Sequence, residues 1–403
     1  MSSATLNSPA DSANPAHDGI TVRQPRYLRI AGGASGDIAQ VLAMFGLSKP
    51  LIVTDPFMAQ SPLLTAITDP LQAAGISAGV FADTVPDPTT EVVDQGLAVL
   101  QAGDYDCMIG FGGGSPMDTA KAIGILDAGG GRMRDWKVPA SANMHTRPLI
   151  CVPTTAGTGT EVTRFVVITD TETDEKMLIQ GLAGVPLAAL VDYELTMGKP
   201  YRLTADTGID SFTHGLEAFV SRLANGHSDG YALSALKLIF DTVRVVCAEP
   251  GNKAARAAMA LGATHGGFAF NSASVALIHG MSRPIGAHFH VPHGLSNAML
   301  LPAITAFSLS GAPERYAAIA RHLGLADAQS TDQAAGEALV AALRSLNQDL
   351  AVPTPRAWGI DEAKYRALMP TMAQQALASG SPGNNPRVPT ADEIIALYEE
   401  VYG

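Results

Sequence analysis

Two pairs of residues carry side chains that divalent metal ions prefer, and the pairs come from different parts of the chain. Asp210 and His214 are four residues apart, a spacing that places both side chains on one face of a helix. A carboxylate and an imidazole on one face form half of a divalent metal site, and His279 and His293 could supply the other half. Three imidazoles and one carboxylate suit Fe(II), Zn(II), Co(II) or Ni(II), and the order of affinities does not choose among them.

The segment that joins the second pair of histidines is predicted to be a loop. Pro284 lies between His279 and His293, and a proline interrupts the hydrogen bonds of a helix interior. His288 and His290 lie in the same segment. They could support the metal ligands, contact a cofactor or pack in the core, and their spacing leaves these alternatives open.

A glycine-rich segment could bind a phosphate group. Residues 107–111 form an apolar run of strand type that leads into Gly113, Gly114, Ser115 and Pro116, where a helical pattern begins. Glycines let the backbone come close to a pyrophosphate, and a helix N-terminus offers unpaired N–H groups and a favourable dipole. An ordinary strand-to-helix turn is the alternative, because the segment is not the GxGxxG pattern.

Two further polar features follow predicted strands. Residues 153–163 contain five threonines and two glycines, and short hydroxyls beside flexible backbone suit hydrogen bonds to ribose or phosphate. A threonine-rich turn without a ligand is the alternative. Asp55 ends the first convincing strand, where a carboxylate can accept hydrogen bonds from a ribose diol and repel a 2′-phosphate. This position favours NAD over NADP, although a solvated aspartate at a strand end would look the same.

These groups need a framework, and the first half of the chain alternates apolar runs with helical patterns. The alternation predicts a mostly parallel, doubly wound sheet. The runs at 165–168 and 177–179 flank a polar turn and predict a hairpin appended to that sheet. The predicted strands lie at 51–55, 79–81, 107–111, 149–152 and 188–192, with helices at 91–102 and 116–128.

From about residue 200 helical periodicity replaces the strand patterns. The predicted helices span 204–223, 229–248, 253–273, 311–323, 331–346, 361–372 and 391–401. The sequence therefore predicts an α/β dinucleotide-binding domain over 21–197 and an all-α metal-binding domain over 198–403. Residues 1–20 are polar, lack the basic and apolar regions of a secretion signal, and are predicted to be a disordered tail.

Composition excludes several classes of protein. Among 403 residues, 47% are apolar and 16% are charged, which excludes an intrinsically disordered chain. The net charge of −12 argues against nucleic acid or an anionic membrane as the main partner, and we find no apolar run that predicts a transmembrane helix. Cys107, Cys151 and Cys247 are too far apart for a disulfide framework or a zinc ribbon. They favour a reducing compartment, and we expect a cytoplasmic protein.

Taken together, these motifs resemble the iron-containing (group III) alcohol dehydrogenase family. The resemblance covers nearly the whole chain after the tail. It includes the segments 112–122, 153–163, 207–214, 279–286, 292–298 and 385–392. It implies a Rossmann-like N-terminal domain, an all-helical C-terminal domain and an active site in the cleft between them.

The resemblance also implies roles for individual residues. The positions that match the family's metal ligands are Asp210, His214, His279 and His293. The positions that match its cofactor-binding residues are Asp55, which selects NAD, and Gly113, Gly114, Ser115, Asp118, Thr154, Thr155, Thr158, Thr163 and Lys176. Phe270 resembles an aromatic residue of the substrate pocket, with a place in the helix core as its alternative.

Two positions depart from the family pattern. Asp87 stands where many relatives carry asparagine near the cofactor. Arg283 stands where many relatives carry a histidine that is assigned to a proton relay, and a guanidinium cannot act as a base near neutral pH. We therefore assign no catalytic side chain beyond the metal ligands. Arg283 could bind a substrate carboxylate, sulfonate or phosphonate through two parallel hydrogen bonds, or it could pair with the pyrophosphate or a structural acid.

The implied activity is reversible hydride transfer between NAD and a small primary alcohol or aldehyde, which could be anionic. Fe(II) is the expected metal, with Zn(II) or another divalent ion as alternatives, and analogy predicts a homo-oligomer, a dimer or larger. The same scaffold also serves maleylacetate-type reductases, which tend to lack the full ligand set, and hydroxyacid–oxoacid transhydrogenases. A lyase like the dehydroquinate synthases would need several basic residues for a phosphorylated substrate, and only Arg283 stands out.

Overall fold

The computed structural model describes residues 19–403, so nearly all of the tail predicted for residues 1–20 lies outside the described residues. The strands are β1 (Tyr27–Ile30), β2 (Pro50–Val53), β3 (Gly79–Phe81), β4 (Cys107–Gly112), β5 (Leu149–Pro153), β6 (Phe165–Asp170), β7 (Glu175–Gln180) and β8 (Ala188–Val191). The helices of the first half are α1 (Ile38–Met44), α2 (Pro56–Gln60), α3 (Thr65–Ala73), α4 (Thr90–Ala102) and α5 (Gly114–Gly129).

The second half of the chain is helical. Its helices are α6 (Tyr201–Val220), α7 (Gly226–Ala248), α8 (Lys253–Ala273), α9 (Leu277–Phe289), α10 (His293–Ser308), α11 (Pro313–His322), α12 (Asp332–Asp349), α13 (Pro355–Trp358), α14 (Glu362–Ala378) and α15 (Ala391–Tyr402). They share one apolar core, to which Phe212 of α6 and Leu236 of α7 contribute fully buried side chains. No helix within 19–403 is both long and apolar enough to cross a membrane.

Six parallel strands form the main sheet in the order β1-β8-β5-β4-β2-β3. Strands β2, β4, β5 and β8 are buried along their whole length, as expected for a sheet covered by helices on both faces. The chain leaves β2 toward the edge strand β3 and then returns to the other side of β2 to form β4. Ligands of such sheets bind where the strand order reverses, at the carboxyl ends of the strands. That point lies between β2 and β4.

The sequence missed or misplaced several elements of this fold, and its predicted helices do not include α1, α2, α3, α10 or α13. Strand β1 escaped prediction because it is short and only partly buried, which leaves a weak apolar signal. The hairpin of β6 and β7 exists, but it forms a separate two-stranded antiparallel sheet instead of joining the main sheet. The predicted loop between His279 and His293 is wrong, since Pro284 lies inside α9.

Helix α9 tolerates Pro284 because of its surroundings. A proline in a helix interior removes one backbone hydrogen bond, and packing of the buried face of the helix can outweigh that loss. Leu277, Met281 and Ile285 of α9 are all buried in the helical core. Only residues 290–292 separate α9 from α10, and His290 ends α9 in a left-handed conformation with φ of 54°.

Candidate metal centre and cofactor cleft

The glycine-rich turn after β4 lies at the reversal of strand order, where the sequence predicted a phosphate site. Gly113 is the N-cap of α5, so the N–H groups of the first turn of α5 face the end of the sheet. A Cβ atom at Gly112 would lie 2.6 Å from Pro116 Cγ, and one at Gly114 would lie 3.0 Å from Thr158 Cγ2. The tight turn therefore leaves no room for a side chain at Gly112 and little room for one at Gly114.

A buried lysine holds the threonine-rich segment against α5. Lys121 is 1% exposed, and its Nζ donates hydrogen bonds to the carbonyl oxygens of Thr160 at 2.7 Å, Thr163 at 2.8 Å and Phe165 at 3.1 Å. Asp118 stands one turn earlier and accepts from Thr160 Oγ1 at 3.3 Å. Asp118 and Thr163 line the inner cavity described below, but their polar atoms already bond within the protein. Asp118 and Thr163 therefore hold the cavity wall in place through these bonds, and their side chains also face the cavity.

The outer part of the cleft is a groove of about 970 Å³ between the sheet and the helical half. Asp55 follows β2 on one side of this groove and caps α2, accepting a hydrogen bond from Met58 N at 2.8 Å. The remaining predicted cofactor residues of the groove are Gly113, Gly114, Ser115, Thr154, Thr155 and Thr158. Thr155 Oγ1 is buried without a hydrogen-bond partner among the described residues, as expected of a hydroxyl that serves a ligand.

Sequence reasoning missed one cation in this groove. Lys199 follows β8, lines the outer cleft with Asp55, and has Met58 Sδ at 3.8 Å from its Nζ. Burial lowers the pKa of Lys199, while the charge of Asp55 works to raise it. A lysine between Gly198 and Pro200 carries no periodic signal, so only its place in the fold reveals it.

The four predicted metal ligands converge at the inner end of the cleft. Around Asp210 Oδ1 the Nε2 atoms lie at 3.4 Å for His279, 3.7 Å for His293 and 3.8 Å for His214. Helix α6 supplies Asp210 and His214, α9 supplies His279 and α10 begins with His293. One donor atom each from Asp210, His279 and His293 lies within 4.8 Å of the others. The His214 ring stacks on that of His279, with centroids 4.7 Å apart.

Two residues that support these ligands were not predicted. Glu217 is 1% exposed, and its Oε2 lies 2.6 Å from His279 Nδ1. This contact turns His279 Nε2 toward Asp210, and a carboxylate behind a ligating histidine is a common arrangement at metal sites. Asn297 Nδ2 lies 2.7 Å from Asp210 Oδ1. Glu217 follows His214 by three residues on α6, and this helical spacing was the signal available in the sequence.

The electrostatics of the cluster suit a cation. Burial works to raise the pKa of Asp210, but the neighbouring histidines outweigh it and hold the carboxyl well below its usual range. Burial lowers the pKa of His214 to about 4 and that of His293 to about 3. Burial also acts to lower the pKa of His279, but Glu217 and Asp210 raise it to about 9. An ionised carboxylate and neutral imidazoles are the forms that bind metal, and Asp210, His214 and His293 are already in these forms near neutral pH. His279 carries a proton that metal binding would displace, so the donor set fits a divalent ion.

The inner cavity beside the cluster holds about 190 Å³ and carries the remaining predicted site residues. Phe270 lines it and packs against the His214 ring, with centroids 4.4 Å apart, so it is a cavity wall and a core residue at once. Lys176 lines the cavity and pairs with Asp87 Oδ1 at 2.7 Å. Arg283 lines it as well, and its Nη1 donates to Ser381 Oγ at 2.9 Å.

The two histidines left open by their spacing are not brought to the cluster. His288 Nε2 lies 2.8 Å from Gln375 Oε1 of α14, and His290 is exposed at the end of α9. Neither lines the inner cavity or the outer cleft. The structure therefore supports neither a contact with the metal ligands nor a contact with a cofactor in the cleft for these two histidines.

A nucleotide-type sheet facing a helical half, with a carboxylate and three imidazoles at the inner end of the cleft, defines a metal-dependent dinucleotide oxidoreductase. Comparison with known proteins agrees with this class. The family model for iron-containing alcohol dehydrogenase matches residues 25–193, and that for the Fe-containing alcohol dehydrogenase family, C-terminal, matches residues 204–402.

Individual relatives cover nearly the same length. Lactaldehyde reductase of Escherichia coli (strain K12) is 35% identical over 92% of this chain and 96% of its own length. NAD-dependent methanol dehydrogenase of Bacillus methanolicus is 34% identical over the same shares. A crystal structure of 1,3-propanediol oxidoreductase superposes with a TM-score of 0.91 at 32% identity, over 95% of this chain and all of that one.

The chain belongs to the iron-containing alcohol dehydrogenase family. The predicted fold class, the NAD-linked alcohol and aldehyde chemistry and the iron and NAD cofactors are confirmed at the level of this family.

Proposed function

We propose that this chain interconverts a small primary alcohol and its aldehyde with NAD at a divalent metal held by Asp210, His214, His279 and His293. The observation that carries the proposal is the convergence of these donors, from α6, α9 and α10, on the inner end of a dinucleotide cleft. A divalent metal supplies a Lewis acid for the alcohol or aldehyde oxygen. NAD accepts or delivers the hydride.

The residues of the chain bind and orient the reactants. The turn at Gly113 and Gly114 and the hydroxyl of Thr155 suit the phosphates and ribose of the dinucleotide, and Asp55 suits an unphosphorylated ribose diol. Phe270 covers the metal cluster on the cavity side. The enclosed wall excludes water from the reacting carbon, which prevents side reactions.

The volume of the inner cavity supports a small substrate. The inner cavity of about 190 Å³ is far smaller than the outer groove. A chain of two to four carbons therefore suits it better than the bulkier oxo-acid of a maleylacetate-type reductase. The complete ligand set argues in the same direction.

Other expectations stay predictions. The proposed domain boundary at 197/198 lies in the segment between β8 and α6, and the two family models match on either side of it. A homo-oligomer and a cytoplasmic location also remain predictions; the three cysteines are free, as a reducing compartment would leave them.

The test is a screen of neutral and anionic aldehydes of two to four carbons with NADH, run on protein stripped of metal and reloaded with Fe(II) or Zn(II). We expect NADH consumption that depends on the metal and is lost in Asp210→Ala. His322→Ala is the control, because His322 contacts the carbonyl oxygen of Leu233 away from the cleft. The proposal fails if no aldehyde is reduced with either metal, or if stripped protein is as active as reloaded protein.

A further inference from the structure

Arg283 places a positive charge on the wall of the substrate cavity. It follows His279 by four residues on α9, so both side chains lie on one helical face. It lines the inner cavity together with the metal-binding cluster, and it does not line the outer groove that holds Asp55, Gly113 and Thr155. Arg283 therefore lies on the metal side of the cleft, one helical turn from His279.

This charge has no carboxylate partner among residues 19–403. Its single hydrogen bond goes to the neutral hydroxyl of Ser381, in the short turn Ser381–Asn384 that packs on α9. Glu217 is the carboxylate whose charge acts on Arg283, but Glu217 already accepts from Ile278 N and contacts His279 Nδ1. Lys176, the other cation of the cavity, is neutralised by Asp87.

Arg283 is half-buried, and no carboxylate in the described part of the chain offsets the loss of water around its guanidinium. Guanidinium carries five N–H donors, and within the described residues Arg283 uses one of them. Burial lowers the pKa of Arg283 to about 10, which is the direction expected when a cation loses water without gaining an anion. Removing a cation from water costs free energy unless a partner compensates, so the arrangement is best explained by a partner that arrives with the ligand.

We propose that Arg283, positioned by Ser381, forms an anion subsite that binds a carboxylate, sulfonate or phosphonate at the far end of the substrate. This inference rests on the proposed function and specifies its substrate class as short anionic aldehydes and their alcohols. The guanidinium fork binds such a group through two parallel charge-assisted hydrogen bonds. Phe165, Phe270 and Val275 supply apolar wall for the carbon chain between the anion and the reacting end.

The test compares matched substrates on the metal-loaded enzyme. Wild type is assayed with NADH on butanal and 4-oxobutanoate, propanal and sulfoacetaldehyde, and acetaldehyde and glyoxylate. We expect at least one anionic member to exceed its neutral counterpart in kcat/KM. We expect Arg283→Gln to lower kcat/KM for that anion by roughly 10- to 100-fold, and to change its neutral counterpart by less than about threefold.

Two further variants separate the subsite from general damage. Arg244→Gln is the matched control, because Arg244 of α7 pairs with Asp349 of α12 and lines neither the inner cavity nor the outer groove. It should leave the rates on both substrates unchanged. Ser381→Ala should raise KM for the anionic substrate more than it lowers kcat, because it removes the hydrogen bond that positions the guanidinium and keeps the guanidinium itself. Arg283→Lys keeps a charge without the fork and should give an intermediate loss.

A binding readout supplements the rates. Butanoate and sulfoacetate should raise the thermal unfolding midpoint of wild type in the presence of NADH, and not that of Arg283→Gln. Equal proportional losses on neutral and anionic aldehydes, or an anion shift that persists without Arg283, would overturn the subsite. Robust reduction of neutral aldehydes with no anion preference at any length would also overturn it, while the proposed function would stand. If no aldehyde is reduced, it is the proposed function that fails.

Discussion

At the scale of single residues, Glu217 links the metal centre to the helix core. Its two oxygens contact His279 Nδ1 and Ile278 N, so it fixes the side chain and the backbone of one turn of α9 together. A glutamine has only one acceptor oxygen and cannot satisfy both groups. The orientation of His279 therefore depends on a carboxylate at this position.

We predict that Glu217→Gln weakens metal affinity by about 10- to 100-fold and that excess metal restores activity. Titration of stripped protein with Zn(II) measures the change. Glu161→Gln is a suitable control, because Glu161 is also buried and accepts from Thr264 away from the cluster. An unchanged metal affinity in Glu217→Gln would show that Glu217 only packs there.

Asp55 is the second residue whose role can be isolated. It combines a helix cap, a negative charge and a place beside Lys199 in the outer cleft. Asparagine caps a helix as well as aspartate does, so Asp55→Asn removes the charge and keeps the cap. The variant leaves Lys199 free to attract a 2′-phosphate.

We predict that Asp55→Asn shifts the ratio of kcat/KM for NADP over NAD upward by at least about tenfold, an effect of the size that one unscreened charge contact produces. Steady-state rates with both cofactors provide the measurement. The double variant Asp55→Asn/Lys199→Met should lose this gain. A cofactor ratio that stays constant in the single variant would remove Asp55 from the selection of NAD.

At the scale of elements, the threonine loop touches helix α8 backbone to backbone. Gly159 has φ of 62°, and a Cβ atom there would lie 2.6 Å from Gly267 Cα and 2.9 Å from Gly267 N. Neither atom can move as a flexible side chain can. Two glycines thus bring the sheet-bearing half and the helical half into close contact beside the cleft.

We predict that Gly159→Ala destabilises the protein by the left-handed cost of ~1–2 kcal/mol plus a further ~1–3 kcal/mol of overpacking. Gly46→Ala is the matched control, because Gly46 has φ of 71° and open space around it. Urea unfolding gives the free energy of unfolding of both variants. Gly46→Ala should show only the left-handed cost, so the additional loss in Gly159→Ala measures the overpacking. Equal losses in the two variants would mean that the contact with Gly267 yields easily.

At the scale of the whole molecule, the proposed metal ligands lie on three helices that meet only through tertiary packing. Asp210 and His214 belong to α6, His279 to α9 and His293 to α10. A ligand that binds the folded chain and not the unfolded chain stabilises it by mass action. A metal bound by the proposed ligands would therefore also stabilise the helical half.

We predict that Zn(II) at 100 times its dissociation constant stabilises wild type by up to ~2.7 kcal/mol, less whatever the unfolded chain binds. Calorimetric or fluorescence-monitored unfolding of stripped and reloaded protein measures this shift. Asp210→Ala should lose most of it. A shift of equal size in that variant would place the stabilising metal elsewhere.

The sequence by itself determined the class of protein and much of its site. Apolar runs that alternate with helical periods are local features, so most strands and helices were predictable within a few residues. The pair Asp210 and His214 was readable because four residues make about one helical turn. The family resemblance supplied the pairing with His279 and His293, which no local rule provides.

Only the tertiary structure decided the rest. Packing of α9 in the core outweighs the local preference of Pro284, so a helix occupies most of the segment where a loop was expected. The hydrogen bonds of Lys121, the position of Lys199 beside Asp55, and the contact of Glu217 with His279 join residues that the sequence separates. Whether Arg283 meets a carboxylate also depends on every element around the cavity. Such contacts cannot be read from spacing, because the physical quantity that fixes them is distance in the folded chain.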